Sequence, residues 1–208
     1  MATTFNVTMA VDNMEGKTVL VFLKPQPPQQ NYRIHAWQVL TGSAGATESF
    51  AYRYKITTNV SSQGIHSNAI VSGTVSITPG QLVEAISPNG LSPQLQLAST
   101  ADAVAKLTPQ QVGVFNNTNP FIQFDVNWLV NDKPVVTCPD VDRHMTSSFE
   151  FLPTFYFMVA APPVIGQTYI LQNFSEMTSY VMPITATSVD VRLTKDQGLW
   201  TFAFHANA

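Results

Sequence analysis

Charge is scarce in this sequence. Asp, Glu, Lys and Arg make up 11% of its 208 residues, where an ordinary soluble chain has roughly 25%. The 10 basic residues are scattered and form no run, which excludes a nucleic-acid backbone as partner. Formal net charge is −3, too small for strong self-repulsion, so contact between copies is easy. Cysteine is nearly absent. A lone Cys138 excludes an internal disulfide framework.

Targeting and membrane signals are missing too. The opening MATTFNVTMAVDNMEGK has neither the basic nor the apolar region of a secretory signal. The expected location is therefore the cytoplasm, or outside the cell by a signal-free route. No apolar run reaches the roughly 18 residues of a membrane helix. The longest, FLPTFYFMVAAPPVI, is cut by three prolines. No GxSxG, phosphate-binding or dinucleotide-binding glycine motif occurs. The glycine-rich GSAGA at 42–46 precedes a strand pattern, so it lacks the helix dipole that holds phosphate. These absences lean the chain away from enzymes.

What fills the space is a two-residue rhythm. In TFNVTMAV, Phe5, Val7, Met9 and Val11 share one face. KTVLVFLK is apolar on both faces, as a central strand is. ESFAYRYKI sets Phe50, Tyr52, Tyr54 and Ile56 against Arg53 and Lys55. FIQFDVNWLV, SFEFLPTFYFMV, SYVMPITA, SVDVRL and LWTFAFH continue the pattern. PQPPQQ at 25–30 breaks it, because proline donates no N–H. Pro79-Gly80 and Pro88-Asn89-Gly90 mark turns. STADAVAKL alone reads as a helix, capped by Ser99 or Thr100, with Ala101, Val104 and Ala105 on one face and Pro109 beyond its end.

The expected fold is all-β: a two-sheet β-sandwich over residues 1–208, one compact domain with one short helix near 99–107. FNVTMAVDN at 5–13 resembles FDVNWLVND at 124–132, and VFLKPQPPQQNY resembles YFMVAAPPVIGQTY. These matches suggest an internal duplication with halves of about 1–98 and 111–208. The second half then carries an insertion that includes TCPDVDRH.

Four groups of residues carry the functional expectations. Arg33, His35 and Trp37 alternate on the polar side of NYRIHAWQVL, which makes Trp37 an exposed contact residue with cationic neighbours, suited to a ligand. Cys138, Asp140, Asp142 and His144 would share one face of an extended strand and offer a metal a mixed ligand set. The competing reading, which we favour, is a polar loop, since Pro139 and DVDRHMTSS favour turns. No cofactor other than that metal is expected. His35, His66 and His205 are scattered and neighbour no nucleophile. The aromatic stripes Phe50, Tyr52, Tyr54 and Phe149, Phe151, Phe155, Phe157 read as core before cavity lining. Residues 57–66 and 69–78 form a Ser/Thr-rich hairpin of the length that membrane-inserting toxins use for a β-barrel arm, or an ordinary sheet hairpin. Asn-x-Ser/Thr triplets at Asn6, Asn59, Asn116 and Asn173 carry no weight in so Ser/Thr-rich a chain.

The expectation is a non-catalytic binding or self-assembling protein acting through its surface, with itself as first partner. A membrane-active pore former built on 57–78, a metal-dependent enzyme built on 138–144, and a glycan-binding module follow in that order.

Overall fold

A computed structural model describes residues 2–24, 32–63, 69–88, 92–119, 123–150, 154–160, 169–170 and 177–208. The PQPPQQ stretch, His66, Asn89-Gly90, Phe151, Pro153, Pro162-Pro163 and Asn173 lie outside them.

The all-β expectation holds. The strands are β1 (Ala2–Met9), β2 (Thr18–Leu23), β3 (Arg33–Ile34), β4 (Gln38–Leu40), β5 (Thr47–Arg53), β6 (Ile56–Gln63), β7 (Ala69–Val71), β8 (Val75–Ile77), β9 (Leu82–Ile86) and β10 (Gln94–Leu97). After the helix α1 (Thr100–Lys106) come β11 (Gln111–Asn116), β12 (Phe124–Val130), β13 (Lys133–Val141), β14 (Thr146–Glu150), β15 (Thr154–Ala160), β16 (Tyr169–Ile170), β17 (Thr178–Val181), β18 (Ser188–Asp196) and β19 (Leu199–Asn207).

The chain divides into two compact units that interleave along the sequence and do not coincide with the halves 1–98 and 111–208. Unit 1 is Met1–Lys24, Ile34–Tyr54 and Pro153–Ala208; unit 2 is Pro25–Arg33 and Lys55–Leu152. The resembling stretches at 5–13 and 124–132 fall in different units, whereas β2 and β15 are neighbours in one sheet.

Unit 1 contains two four-stranded sheets, ordered β19-β18-β1-β5 and β17-β15-β2-β4. β1 runs parallel to β18 and antiparallel to β5. Its alternation is clean: Phe5, Val7 and Met9 are fully buried, and the residues between them face outward. β2 is buried along its whole length, as an interior strand between β15 and β4 must be.

Aromatic rings from both sheets form the core between them. Phe5 stacks on Phe50 at 4.9 Å and meets Phe155 of the opposite sheet at 4.7 Å. Tyr52 meets Phe155 edge-on at 5.0 Å. Phe157 contacts Phe202 and Phe204 at 5.6 and 5.1 Å. Each such ring hides about 150–250 Å², worth on the order of 4–6 kcal/mol before entropy is charged against it. Phe50, Tyr52, Phe155 and Phe157 are thus core, while Tyr54 is exposed.

Unit 2 holds the sheet β10-β9-β11-β14 and a second sheet containing β13-β12-β6-β7, with β8 also paired to β6. Val126, Trp128 and Val130 of β12 and Val112 and Val114 of β11 are buried. Asn131 and Asp132 both take positive φ and close the β12–β13 hairpin in two residues, a geometry Asn and Asp tolerate. α1 begins at Ser99, whose hydroxyl accepts from the Asp102 N–H at 3.1 Å. Its buried residue is Ala103, whereas Val104 is 75% exposed. The apolar face read from the sequence therefore points outward. A single helix of two turns touches the sheet along one narrow line, and that line runs through Ala103. Gly113 makes room for the helix end, since a Cβ there would stand 2.7 Å from Leu107 Cδ2.

Candidate functional surface

The three residues expected to form one exposed contact set are separated. Arg33 is exposed, with Nη1 at 3.5 Å from Asp125 Oδ2, a surface pair worth little. His35 is half-buried. Trp37 is 2% exposed and belongs to the core of unit 1, edge-on to Phe50 at 5.4 Å and Tyr52 at 5.9 Å. The expected exposure of Trp37 is corrected by a break in the strand. Residues 35–37 form no ladder between β3 and β4. The two-residue alternation therefore stops at Ile34, and the chain turns the indole inward while the backbone N–H of Trp37 donates to the Val21 carbonyl at 2.8 Å.

TCPDVDRH is partly strand and partly turn. β13 runs through Cys138 and Pro139 to Val141, and the turn follows. Pairing with β12 slips between Phe124 and Val126, so Pro139 lies in a bulge where no ladder donor is required. Asp140 and His144 have φ of 55° and 64°, which destroys the strict alternation that would aim four side chains together. Asp142 Oδ1 accepts from Gln123 Nε2 at 2.6 Å, and the His144 ring lies over Phe115 at 6.3 Å. Among the described residues no three His, Cys, Asp or Glu side chains form a group able to hold a metal ion. Burial pushes the Cys138 thiol up, with the carboxylates of Asp125 and Asp140 adding to it. The thiol is therefore kept protonated at neutral pH and is a poor nucleophile or metal ligand.

The Ser/Thr-rich hairpin is held inside its sheet. β6 pairs with β12 on one side and with β7 and β8 on the other. Thr57, Thr58 and Val60 are buried, and Thr58 Oγ1 donates to the Asn127 carbonyl at 3.0 Å. Withdrawal of β6 would break both ladders. Among the described residues no helix is long and apolar enough to cross a membrane.

Two features of the surface stand out instead. The first is the outer face of β5, β1, β18 and β19. The register places Ser49, Asn6, Asp190 and His205 on one rung, and Thr47, Thr8, Arg192 and Ala203 on the next. Ser49 Oγ donates to Asn6 Oδ1 at 2.8 Å, and Asn6 Nδ2 donates to Asp190 Oδ1 at 3.0 Å. Asn207 Nδ2 donates to Asp190 Oδ2 at 3.1 Å. Both oxygens of an exposed carboxylate are thus fixed in place. The amides of Asn6 and Asn207 hold the Asp190 carboxyl below the usual range, with His205 adding to the effect. A groove of about 350 Å³ opens here, lined by Thr8, Asp190, Val191, Arg192, Ala203, Phe204 and His205.

The second feature is the sheet margins. Among the described residues eight strands end a sheet: β5 and β14, which carry Glu48, Arg53 and Glu150, then β16, and finally β4, β7, β10, β17 and β19. The sequences of these last five, QVL, AIV, QLQL, TSYV and LWTFAFHAN, contain no Lys, Arg, Asp or Glu. Each shows an exposed aliphatic side chain: Val39, Val71, Leu97, Val181 and Leu199.

Sequence reasoning missed Asp190, Arg192 and the role of His205. The alternation in SVDVRL put the first two on a polar face, but only the register of β18 against β1 and β19 shows what they meet. Comparison with protein-family models, with curated proteins and with solved structures returned no match.

Proposed function

We propose that this is a non-catalytic binding protein that works through its surface, and that its first partner is a second copy of itself. The observation that carries the reading is the set of uncharged sheet margins. Terminal strands expose unpaired N–H and C=O groups, and proteins that stay apart guard them with Lys, Pro or inward-pointing charge. Five of the eight strands that end a sheet among the described residues carry no charged residue and offer an exposed aliphatic side chain to bury. Strand-to-strand contact would satisfy the backbone groups and hide the aliphatics with little charge to desolvate.

Light scattering coupled to size-exclusion chromatography, run on the full chain from micromolar to millimolar concentration, tests this. The wild type is expected to associate. Val181→Lys and Leu199→Lys, which place ammonium groups on two margins, are expected to weaken association at least tenfold, about 1.4 kcal/mol. A wild type that stays monomeric throughout would refute the proposal.

A further inference from the structure

We infer that the outer face of β1, β18 and β19 is a binding site for a neutral, polyhydroxylated ligand, a carbohydrate, with Asp190 as the central acceptor and Arg192 and His205 as donors. The site shares β19 with one of the margins invoked for self-association, but it uses outward side chains on the sheet face and not the backbone groups of the edge.

Shape comes first. The groove, about 350 Å³, falls at the small end of the roughly 300–1,000 Å³ typical of small-molecule sites. Its breadth comes from Ala203. On the rung Thr8–Arg192–Ala203, the β19 position carries only a methyl group and is exposed. Larger neighbours rise beside it, Arg192 across the rung and His205 two residues along the strand.

Preorganisation is next. Asp190 is exposed, and an exposed carboxylate ordinarily samples several rotamers. Here one oxygen is held by Asn6 and the other by Asn207, at 3.0 and 3.1 Å. Asn6 is itself oriented by the Ser49 hydroxyl. Each carboxylate oxygen accepts more than one hydrogen bond, so acceptor capacity remains on the solvent side after these bonds are made. The entropy of ordering the acceptor has been spent before a ligand arrives, which is what raises affinity for a small polar molecule.

Charge then selects the class. A fixed carboxylate at the centre of the groove repels phosphates, sulfates and carboxylated ligands. An apolar ligand would strip water from it without replacing a hydrogen bond, at a cost. Adjacent hydroxyl groups suit it, since each donates to a carboxylate oxygen and accepts from a neighbouring cation. Arg192 offers up to five N–H donors, and its guanidinium forms no ion pair among the described residues. His205 faces Asp190 from the adjacent strand. An acceptor flanked by two donors on neighbouring rungs matches the alternating demands of a sugar ring.

The test uses the full chain on an array of neutral and sialylated glycans, with any hit remeasured by calorimetry using that glycan. Binding to neutral glycans is expected. Asp190→Ala should weaken it at least tenfold. Ala203→Trp, which fills the groove without touching the Asn6–Asp190–Asn207 bonds, should do the same and guards against a merely misfolded Asp190 variant. Both variants should keep the wild-type association state by light scattering, so loss of glycan binding and loss of self-association are read separately. The inference is overturned if no neutral glycan binds, if sialylated glycans bind more tightly, or if either substitution leaves binding unchanged.

Discussion

Trp37 shows how a single residue can change role without any change in its local sequence. In NYRIHAWQVL it falls on the polar side of an unbroken alternation. In the folded chain the ladder lapses at 35–37 and the indole joins Phe50, Tyr52 and Phe155 in the unit 1 core. Trp37→Ala should therefore behave as a core truncation and cost about 3–5 kcal/mol, measured by urea denaturation with the slope unchanged. A cost below about 0.5 kcal/mol, the range of ordinary surface substitutions, would return the residue to the surface. Asn116 makes a similar point for polar residues. It sits in a glycosylation triplet, yet it is fully buried and bonds the Val141 carbonyl and the Thr118 N–H and hydroxyl. Its chemistry is used to close a turn.

At the scale of elements, register matters more than rhythm. Every residue on the Ser49–Asn6–Asp190–His205 rung comes from a strand legible in the sequence; Asp190 and His205 meet across one hairpin, but Asn6 meets Asp190 from the far end of the chain. Asn6 and Asp190 are 184 residues apart, and β1 and β18 pair in parallel, which no local turn specifies. The consequence is measurable by pH. A carboxyl whose folded-state value is lowered supports the fold above its unfolded value and loses that support as pH falls through the lowered one. Asn6→Ala removes the largest cause of the lowering. The Asp190 titration followed by carboxyl NMR should then move upward, toward the ordinary aspartate value. A titration unmoved by Asn6→Ala would mean that this hydrogen bond does not form in solution. The opposite lesson comes from α1, where a legible helix with a legible cap presents the wrong face, because one contact line through Ala103 outweighs a weak apolar stripe.

For the whole molecule, low charge density is the governing property. Association driven by backbone pairing and aliphatic burial is screened little by salt, whereas association between charged surfaces weakens as the Debye length falls from about 30 Å at 0.01 M to about 8 Å at 0.15 M. The apparent dissociation constant from sedimentation equilibrium is expected to change less than about threefold across that range. A change of a hundredfold would place charged side chains, not uncharged margins, at the contact. The Cys138–His144 stretch fits the same view. Among the described residues its side chains form no metal-holding group, and burial raises the pKa of its thiol.

The sequence by itself determined the all-β class, the one short helix with a cap at Ser99 or Thr100, the interior position of β2 and the scarcity of charge. All of these follow from local alternation, capping chemistry and composition, which act between near neighbours. Only the tertiary structure decided that Trp37 is core, that Cys138, Asp140, Asp142 and His144 form no metal-holding group, that five charge-free strands lie at sheet ends, and that Asp190 is clamped between Asn6 and Asn207. Those outcomes depend on which distant strands pair and in what register, and a two-residue period is the same for every partner a strand might choose.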